Sequence, residues 1–435
     1  MKSIGTKIWR PQSLPPYWST RGRIPREEAQ LLKSRVKPII EKVRAKQDAA
    51  LIEYTRKFDK VSLDPEKLLV TARELKEAYR KVSEDQISAI KSIKQRVEAF
   101  EQRILDQMRF QLRQNGLRIE TVTRPIESVG CYVPGGNAAY PSTAVMTVVP
   151  AKVAGVSRVV MCSPPTAKGT INPLTLVAAD ICKVHEVYKI GGAQAIAALA
   201  YGTESIKPVK KIVGPGNRYV TMAKILVSRD IAIDMPAGPS EILILADETA
   251  NSRFIALDMI SQAEHGPDSI AGLMTTSDEL AEDVLKELER AVSSSKRSTT
   301  VLNALSNHGF LVICKTISEM VRLANDFAPE HLQIVTREPE RIADKVTTAG
   351  LILIGPYSPV SASDYCYGTN HVLPTSGYSH TYSGLSVLDF VKRIGVVECS
   401  KDGLLALKNM ARVVSEAENL PNHYAAIEGR FELEE

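Results

Sequence analysis

At 435 residues the chain is too long for one hydrophobic core, and its length predicts two to four compact units. With 44% hydrophobic residues, 24% charged residues and a formal net charge of +5, its composition is that of an ordinary soluble globular protein. Six widely spaced cysteines (Cys131, Cys162, Cys182, Cys314, Cys366 and Cys399) form no CxxC pair, which argues against a zinc ribbon, an iron–sulfur site and a secreted disulfide framework.

The opening "MKSIGTKIWRPQ" has no apolar h-region, so no signal or transit peptide is expected. After it, "WRPQSLPPYWSTRGRIP", with its prolines and both tryptophans, reads as an extended arm of the kind that packs on another subunit. From Ile24 to about Gly116 apolar residues recur at three and four, and a helical zone is predicted. Residues 1 to 125 hold 28 Lys and Arg against 16 Asp and Glu, which raises nucleic-acid binding. The bases are mixed with acids at helical spacings and carry no aromatic interleaving, so a solvated helix face is the expectation, with no nucleic-acid partner.

From Ser128 the texture changes. "SVGCYVPGGN", "VSRVVMCSPP", "EVYKIGGAQ" and "VKKIVGPGN" each read as a buried strand ending in a tight turn, with helices in "AQAIAALAYG" and "RYVTMAKILVS". Strands alternating with helices predict a parallel α/β sheet. A second sheet is predicted from "SEILILAD", "IAGLMTT", "GFLVICK" and "AGLILIGP", with helices at about 252–264, 278–291 and up to 324. A mixed tail follows about Ser379. The longest apolar stretch, "AVMTVVPAKVAGV", is broken by Pro150 and Lys152, so no membrane span is expected and a cytoplasmic location follows.

Ligands of parallel sheets collect at the carboxyl ends of strands, where "PGGN", "IGGAQAI" and "GPGN" place glycines and the amides Gln194 and Asn217. None of these turns is GxGxxG or a P-loop. Four of the seven histidines stand beside an acid or amide: Gln262 with His265, Glu330 with His331, Asp364 with His371, and Glu418 with His423. Gln262 and His265, three apart near the end of a predicted helix, share a face. Imidazole, carboxylate and amide oxygen suit zinc or a similar ion, and an imidazole beside a carboxylate suits acid/base work. Adjacent residues diverge on a helix, so Glu330 and His331 are expected to cooperate at a loop or helix end, which Pro329 favours. Ser240 and Glu241 stand at the mouth of a predicted strand. The residues alone support a metal-assisted acid/base enzyme.

With "YVPGGNAAYPS", "GGAQAIAALAYGTES", "VGPGNRYV", "DMPAGPSEILILAD", "SQAEHGPDS", "APEHLQI", "DYCYGTNHVLPTSG" and "SGLSVLDF" in place, the sequence resembles the histidinol dehydrogenase family from about Ser128 to His423. The resemblance implies oxidation of L-histidinol through an aldehyde to L-histidine with two hydrides passed to NAD. It implies zinc on Gln262, His265, Asp364 and His423, holding the substrate rather than activating its hydroxyl. His331 resembles the base that takes the hydroxyl proton, and Glu330 the base that activates water. Ser240, His371 and Glu418 resemble substrate contacts, and Tyr132, Gln194 and Asn217 match NAD contacts.

The implied fold has two Rossmann-like parallel-sheet domains of incomplete dinucleotide-binding type, 26–127 plus 237–378 and 128–236. An arm (1–25) and a tail (379–435) are expected to cross to a partner subunit, so that Glu418 and His423 complete the other site of a homodimer. Cys366 and Tyr367 stand where the family commonly has smaller side chains, and Asn419 where glycine is usual. The rival readings are a related zinc enzyme oxidising another small alcohol, such as a sulfonated diol, and a zinc hydrolase, for which no HExxH motif is present.

Overall fold

Residues 5–21, 26–135 and 139–432 are described by a computed structural model. The arm contributes a short strand, β1 (Lys7–Trp9), and three helices follow: α1 (Arg26–Phe58), α2 (Ala72–Tyr79) and α3 (Glu84–Gln107). The starts of α2 and α3 are encoded locally. Thr71 with Glu74, and Ser83 with Gln86, form reciprocal capping boxes that satisfy the first free N–H groups. The predicted helical zone ends early, because 110–125 folds as a hairpin of β2 (Phe110–Gln114) and β3 (Leu117–Pro125). Asn115 and Gly116 turn it with φ of 49° and 75°, the two positive values a tight hairpin turn requires.

Next come β4 (Ser128–Tyr132), β5 (Arg158–Cys162), β6 (Glu186–Tyr188), β7 (Lys211–Val213) and β8 (Ala232–Ile233). They form a parallel sheet in the order β6-β5-β4-β7-β8. Helices α4 (Pro141–Ala154), α5 (Pro173–Ile181), α6 (Gly192–Tyr201) and α7 (Arg218–Val227) connect them and bury both faces, which is why the strands are almost uniformly apolar. Here the packing differs from the expected division. Leu32, Val36 and Leu51 of α1 share an apolar cluster with Ile196 and Leu199 of α6. Ile90 and Val97 of α3 share another with Val145 and Val149 of α4. The helices of 26–107 therefore cover the five-stranded sheet rather than the unit of 237–378. Their apolar faces complete the burial of α4, α6 and α7, a non-local match that periodicity within the helices does not encode.

The second sheet holds β9 (Glu241–Ala246), β10 (Ile270–Thr275), β11 (Phe310–Ile313), β12 (His331–Val335) and β13 (Leu351–Ile354). Helices α8 (Ser252–Ala263), α9 (Asp278–Ser294), α10 (Ser298–His308) and α11 (Ile317–Phe327) lie between them. The order is β1-β11-β10-β9-β12-β13, so the arm strand is the sixth member and pairs Ile8 with Leu311 in parallel. The expectation that the arm crosses to a partner does not describe residues 5–21. Trp18 packs on Phe310 and Phe327 of its own chain, ring centroids 5.6 and 4.7 Å away, because those rings leave an apolar site beside the sheet edge. Without β1, both sheets run third, second, first, fourth, fifth in chain order, the doubly wound arrangement.

The tail begins with β14 (Val391–Cys399), antiparallel to β3. Two helices, Lys401–Ala417 and Pro421–Glu428, follow it, with Leu405, Met410, Val413 and Val414 at least half exposed. Among the described residues no helix is long and apolar enough to cross a membrane.

Candidate active site

The acid/base residues collect at the amino end of the six-stranded sheet. Glu330 immediately precedes β12 and His331 is its first residue, while Ser240 immediately precedes β9. The pair thus stands at a strand entry, where the expected loop leads straight into extended backbone. Because α8 runs back across the sheet, its last turn returns Gln262 to the same end, and His265 follows it.

Glu241, the first residue of β9, organises this end through its backbone. Its N–H donates to Glu330 Oε2 at 2.6 Å, and its carbonyl lies 3.1 Å from His331 Nδ1. A carbonyl only accepts, so Nδ1 carries the proton and Nε2 is left with its lone pair. That Nε2 is buried and has no hydrogen-bond partner among the described residues. Burial lowers the His331 pKa to about 4, against the pull of Asp364, so the ring is neutral near pH 7. Burial raises the Glu330 carboxyl well above the usual range; the Glu241 N–H opposes this, and the charges of Glu241 and Asp364 add to it. The two side chains lie 3.7 Å apart, Nδ1 to Oε2.

Asp364 faces two histidines. Its Oδ2 lies 3.7 Å from His265 Nε2 and its Oδ1 lies 3.9 Å from His371 Nδ1. Burial works to raise its carboxyl, but His265, His371 and His331 hold it below the usual carboxylate range. His371 Nδ1 donates to the Asp364 carbonyl at 3.0 Å, which frees Nε2 to accept from Thr143 Oγ1 of α4 at 3.4 Å. Gln262 is buried, and its side-chain nitrogen has no partner. Amide nitrogen and oxygen exchange places by a flip, so an unmet amide oxygen is equally available there. An amide, an imidazole and an anionic carboxylate make a donor set that fits zinc.

The remaining candidates lie elsewhere. Glu418 ends the first tail helix and His423 sits in the second; both are exposed and neither bonds to Gln262, His265 or Asp364. Among the described residues, no three His, Cys, Asp or Glu side chains of the chain converge as a metal-binding group. Asn419 has φ of 58°, a left-handed value that asparagine tolerates and glycine adopts without strain. Tyr132, Gln194 and Asn217 gather at the carboxyl end of the five-stranded sheet. Tyr132 closes β4, and its hydroxyl accepts from the Gly192 N–H at 3.0 Å. Gln194 is buried with Oε1 unpartnered, whereas Asn217 caps α7 through the N–H groups of Tyr219 and Val220. Part of the "PGGN" turn (136–138) lies outside the described residues.

The two ends adjoin. Thr143 of α4 touches His371, Asn370 Nδ2 donates to the Met146 carbonyl at 2.8 Å, and Arg218 at the start of α7 reaches Asp268 at 3.3 Å. Sequence reasoning passed over Thr143 and Arg21. Neither stands in a motif, and their partners are more than two hundred residues away.

The histidinol dehydrogenase family model matches residues 23–431. The chain is 45% identical to histidinol dehydrogenase of Methanocaldococcus jannaschii over 91% of this chain and 92% of that one. It is 45% identical to the Clostridium acetobutylicum enzyme over 95% and 96%. The crystal structure of histidinol dehydrogenase from Elizabethkingia anophelis superposes with a TM-score of 0.91 at 37% identity, covering 98% of both chains. The chain therefore belongs to the histidinol dehydrogenase family, NAD-dependent oxidoreductases of the final steps of histidine biosynthesis.

Proposed function

We propose that this chain converts L-histidinol through L-histidinal to L-histidine with His331 and Glu330 as its proton carriers. The observation that supports this most is the unpartnered, buried Nε2 of a His331 whose other nitrogen is committed to the Glu241 carbonyl. In the alcohol step, His331 Nε2 takes the hydroxyl proton as hydride leaves the same carbon for the nicotinamide ring. In the aldehyde step, Glu330 takes a proton from the water that adds to the carbonyl. His331 returns its proton to the former carbonyl oxygen, which completes the hydrate. The hydrate then gives up its one remaining hydride on that carbon to another NAD, and His331, neutral again, accepts a hydroxyl proton. Each histidinol thus consumes one water and reduces two NAD.

Gln262, His265 and Asp364, with the partner subunit's His423, would hold zinc. When bound, zinc supplies a fixed template that orients the imidazole and amine of the substrate. Ser240 and His371, with the partner subunit's Glu418, contact the substrate, and Tyr132, Gln194 and Asn217 bind NAD. The homodimer reading draws on the tail. Its first helix exposes Leu405, Met410, Val413 and Val414, and among the described residues His423 joins no metal-binding group within its own chain.

The test is NADH formation from L-histidinol by zinc-loaded protein, compared with His265→Asn and His331→Asn. Two NADH per histidinol are expected, with both variants impaired and only His265→Asn losing metal. Folded, dimeric, zinc-loaded protein that forms no NADH from histidinol refutes the substrate assignment.

A further inference from the structure

The buried Glu241 side chain explains why its backbone can hold both proton carriers. Its carboxylate is fully buried and receives both guanidinium nitrogens of Arg21, Nη1 at 2.9 Å and Nη2 at 2.7 Å. Ser376 N–H also donates to Oε1, at 2.9 Å. A carboxylate buried without a counter-charge either takes up a proton or moves toward water. Either change would displace the first residue of β9, the residue that orients Glu330 and His331.

Arg21 secures the second strand entry as well. Its Nε donates to the Phe327 carbonyl at 2.7 Å, and its guanidinium lies over the Phe327 ring, 3.4 Å from the centroid. Phe327 is the last residue of α11, and only Ala328 and Pro329 separate it from Glu330. Ala328 holds φ of 49°, a left-handed value that is unfavourable for a non-glycine residue and persists only where the surroundings impose it. One side chain from the arm therefore ties the start of β9 to the turn that delivers Glu330 and His331.

We propose that Arg21, which precedes the residues matched by the family model, is a positioning residue for the catalytic pair, acting through Glu241 and the 327–330 turn. The inference rests on the roles proposed above for Glu330 and His331. It predicts a loss in turnover that outweighs any change in substrate affinity, because Arg21 reaches the pair through protein groups and, of the proposed substrate contacts, only Ser240 adjoins Glu241.

The experiment measures kcat and KM for L-histidinol in Arg21→Ala and Arg21→Lys, with thermal midpoints and dimer content recorded alongside. Arg21→Ala is expected to lose about a hundredfold in kcat, the scale of a small misplacement of reacting groups, with KM within about threefold of wild type. Added guanidinium should restore part of that kcat, where sodium at equal ionic strength does not. Arg21→Lys keeps the charge without the two-pronged fork and should recover only part of it. Wild-type kcat in a folded Arg21→Ala, or a fall in thermal midpoint alone, overturns the proposal. If Arg21→Ala does not fold, wild-type kcat in Arg21→Lys overturns it equally. Glu330→Gln and His331→Asn run in parallel: full activity in those two would refute the catalytic roles instead.

Discussion

The two parallel sheets share one strand order and are used at opposite ends. In the five-stranded sheet the candidate NAD residues Tyr132, Gln194 and Asn217 stand at the end of β4 and after β6 and β7, at the carboxyl ends where a doubly wound sheet normally takes its ligand. In the six-stranded sheet Ser240, Glu330, His331, Gln262 and His265 stand at the amino ends of β9 and β12 and at the end of α8. The difference lies in what each edge offers. Carboxyl ends open into glycine turns and helix N-termini, which suit an anionic dinucleotide. The amino edge offers strand-entry N–H and carbonyl groups, and those of Glu241 hold Glu330 and fix the tautomer of His331. Adjoining edges of two like sheets then place the candidate dinucleotide residues and the candidate acid/base residues on units that touch.

The strongest way to break this comparison is to remove the proposed base. His331→Asn should cost about 10²–10⁴ in kcat, the usual worth of a positioned proton acceptor, while leaving NAD affinity unchanged. Tyr132→Phe should do the reverse. It strips the Gly192 N–H of its partner and raises KM for NAD by about tenfold, with kcat little changed. Steady-state kinetics on both variants would decide, and an exchange of effects between them would mean that the two edges are not separate.

The strands of both sheets were legible where buried runs end in glycine, as in "SVGCYVPGG" and "AGLILIGP". β12 was not, because "HLQIV" begins with a histidine and carries a buried Gln333 bonded to Asp258 at 2.8 Å, breaking the apolar run. The hairpin at Asn115 and Gly116 had a strong local signal, which the helical period carried over from α3 obscured. The nearness of Gln262 and His265 along the chain was legible as a three-residue helical spacing, which the His265 N–H to Gln262 carbonyl bond continues just past the end of α8. The placement of α1 to α3 on the five-stranded sheet was not, since nothing within a helix names the face it will meet. Arg21 was hidden for the same reason, its partner lying 220 residues away.

Two glycines sharpen the contrast at a smaller scale. A Cβ on Gly214, at φ of 114°, would lie 2.1 Å from the Tyr132 carbonyl oxygen, so Gly214→Ala must move the turn beside the candidate NAD residues. A Cβ on Gly272 would lie 2.2 Å from the Phe310 ring, inside the six-stranded unit and away from either edge. Both variants should lose about 1–3 kcal/mol of stability by overpacking. Only Gly214→Ala should also raise KM for NAD, and a similar rise in Gly272→Ala would mean that the sheets are coupled through their cores.

The smallest effect contrasts two buried acids. Glu241, on the six-stranded side, has Arg21, whereas Glu101 of α3, on the five-stranded side, has no cationic partner among the described residues. Its Oε2 accepts from Val387 N–H at 2.6 Å and its Oε1 is unpartnered. Burial raises its pKa to about 7, opposed by the Val387 hydrogen bond and assisted by Asp389. Between the ordinary carboxyl value and pH 7 the folded protein therefore keeps a proton that the unfolded chain has released. Stability falls as pH rises through that window and levels off above about 7. Glu101→Gln keeps an oxygen for Val387 and removes the charge. It should match wild type near pH 4 and exceed it by about 1–3 kcal/mol at pH 8, scaled from the size of the shift. Thermal midpoints of both proteins across that range test this, and a gap that does not widen with pH would show that Glu101 is accommodated as a charged group after all.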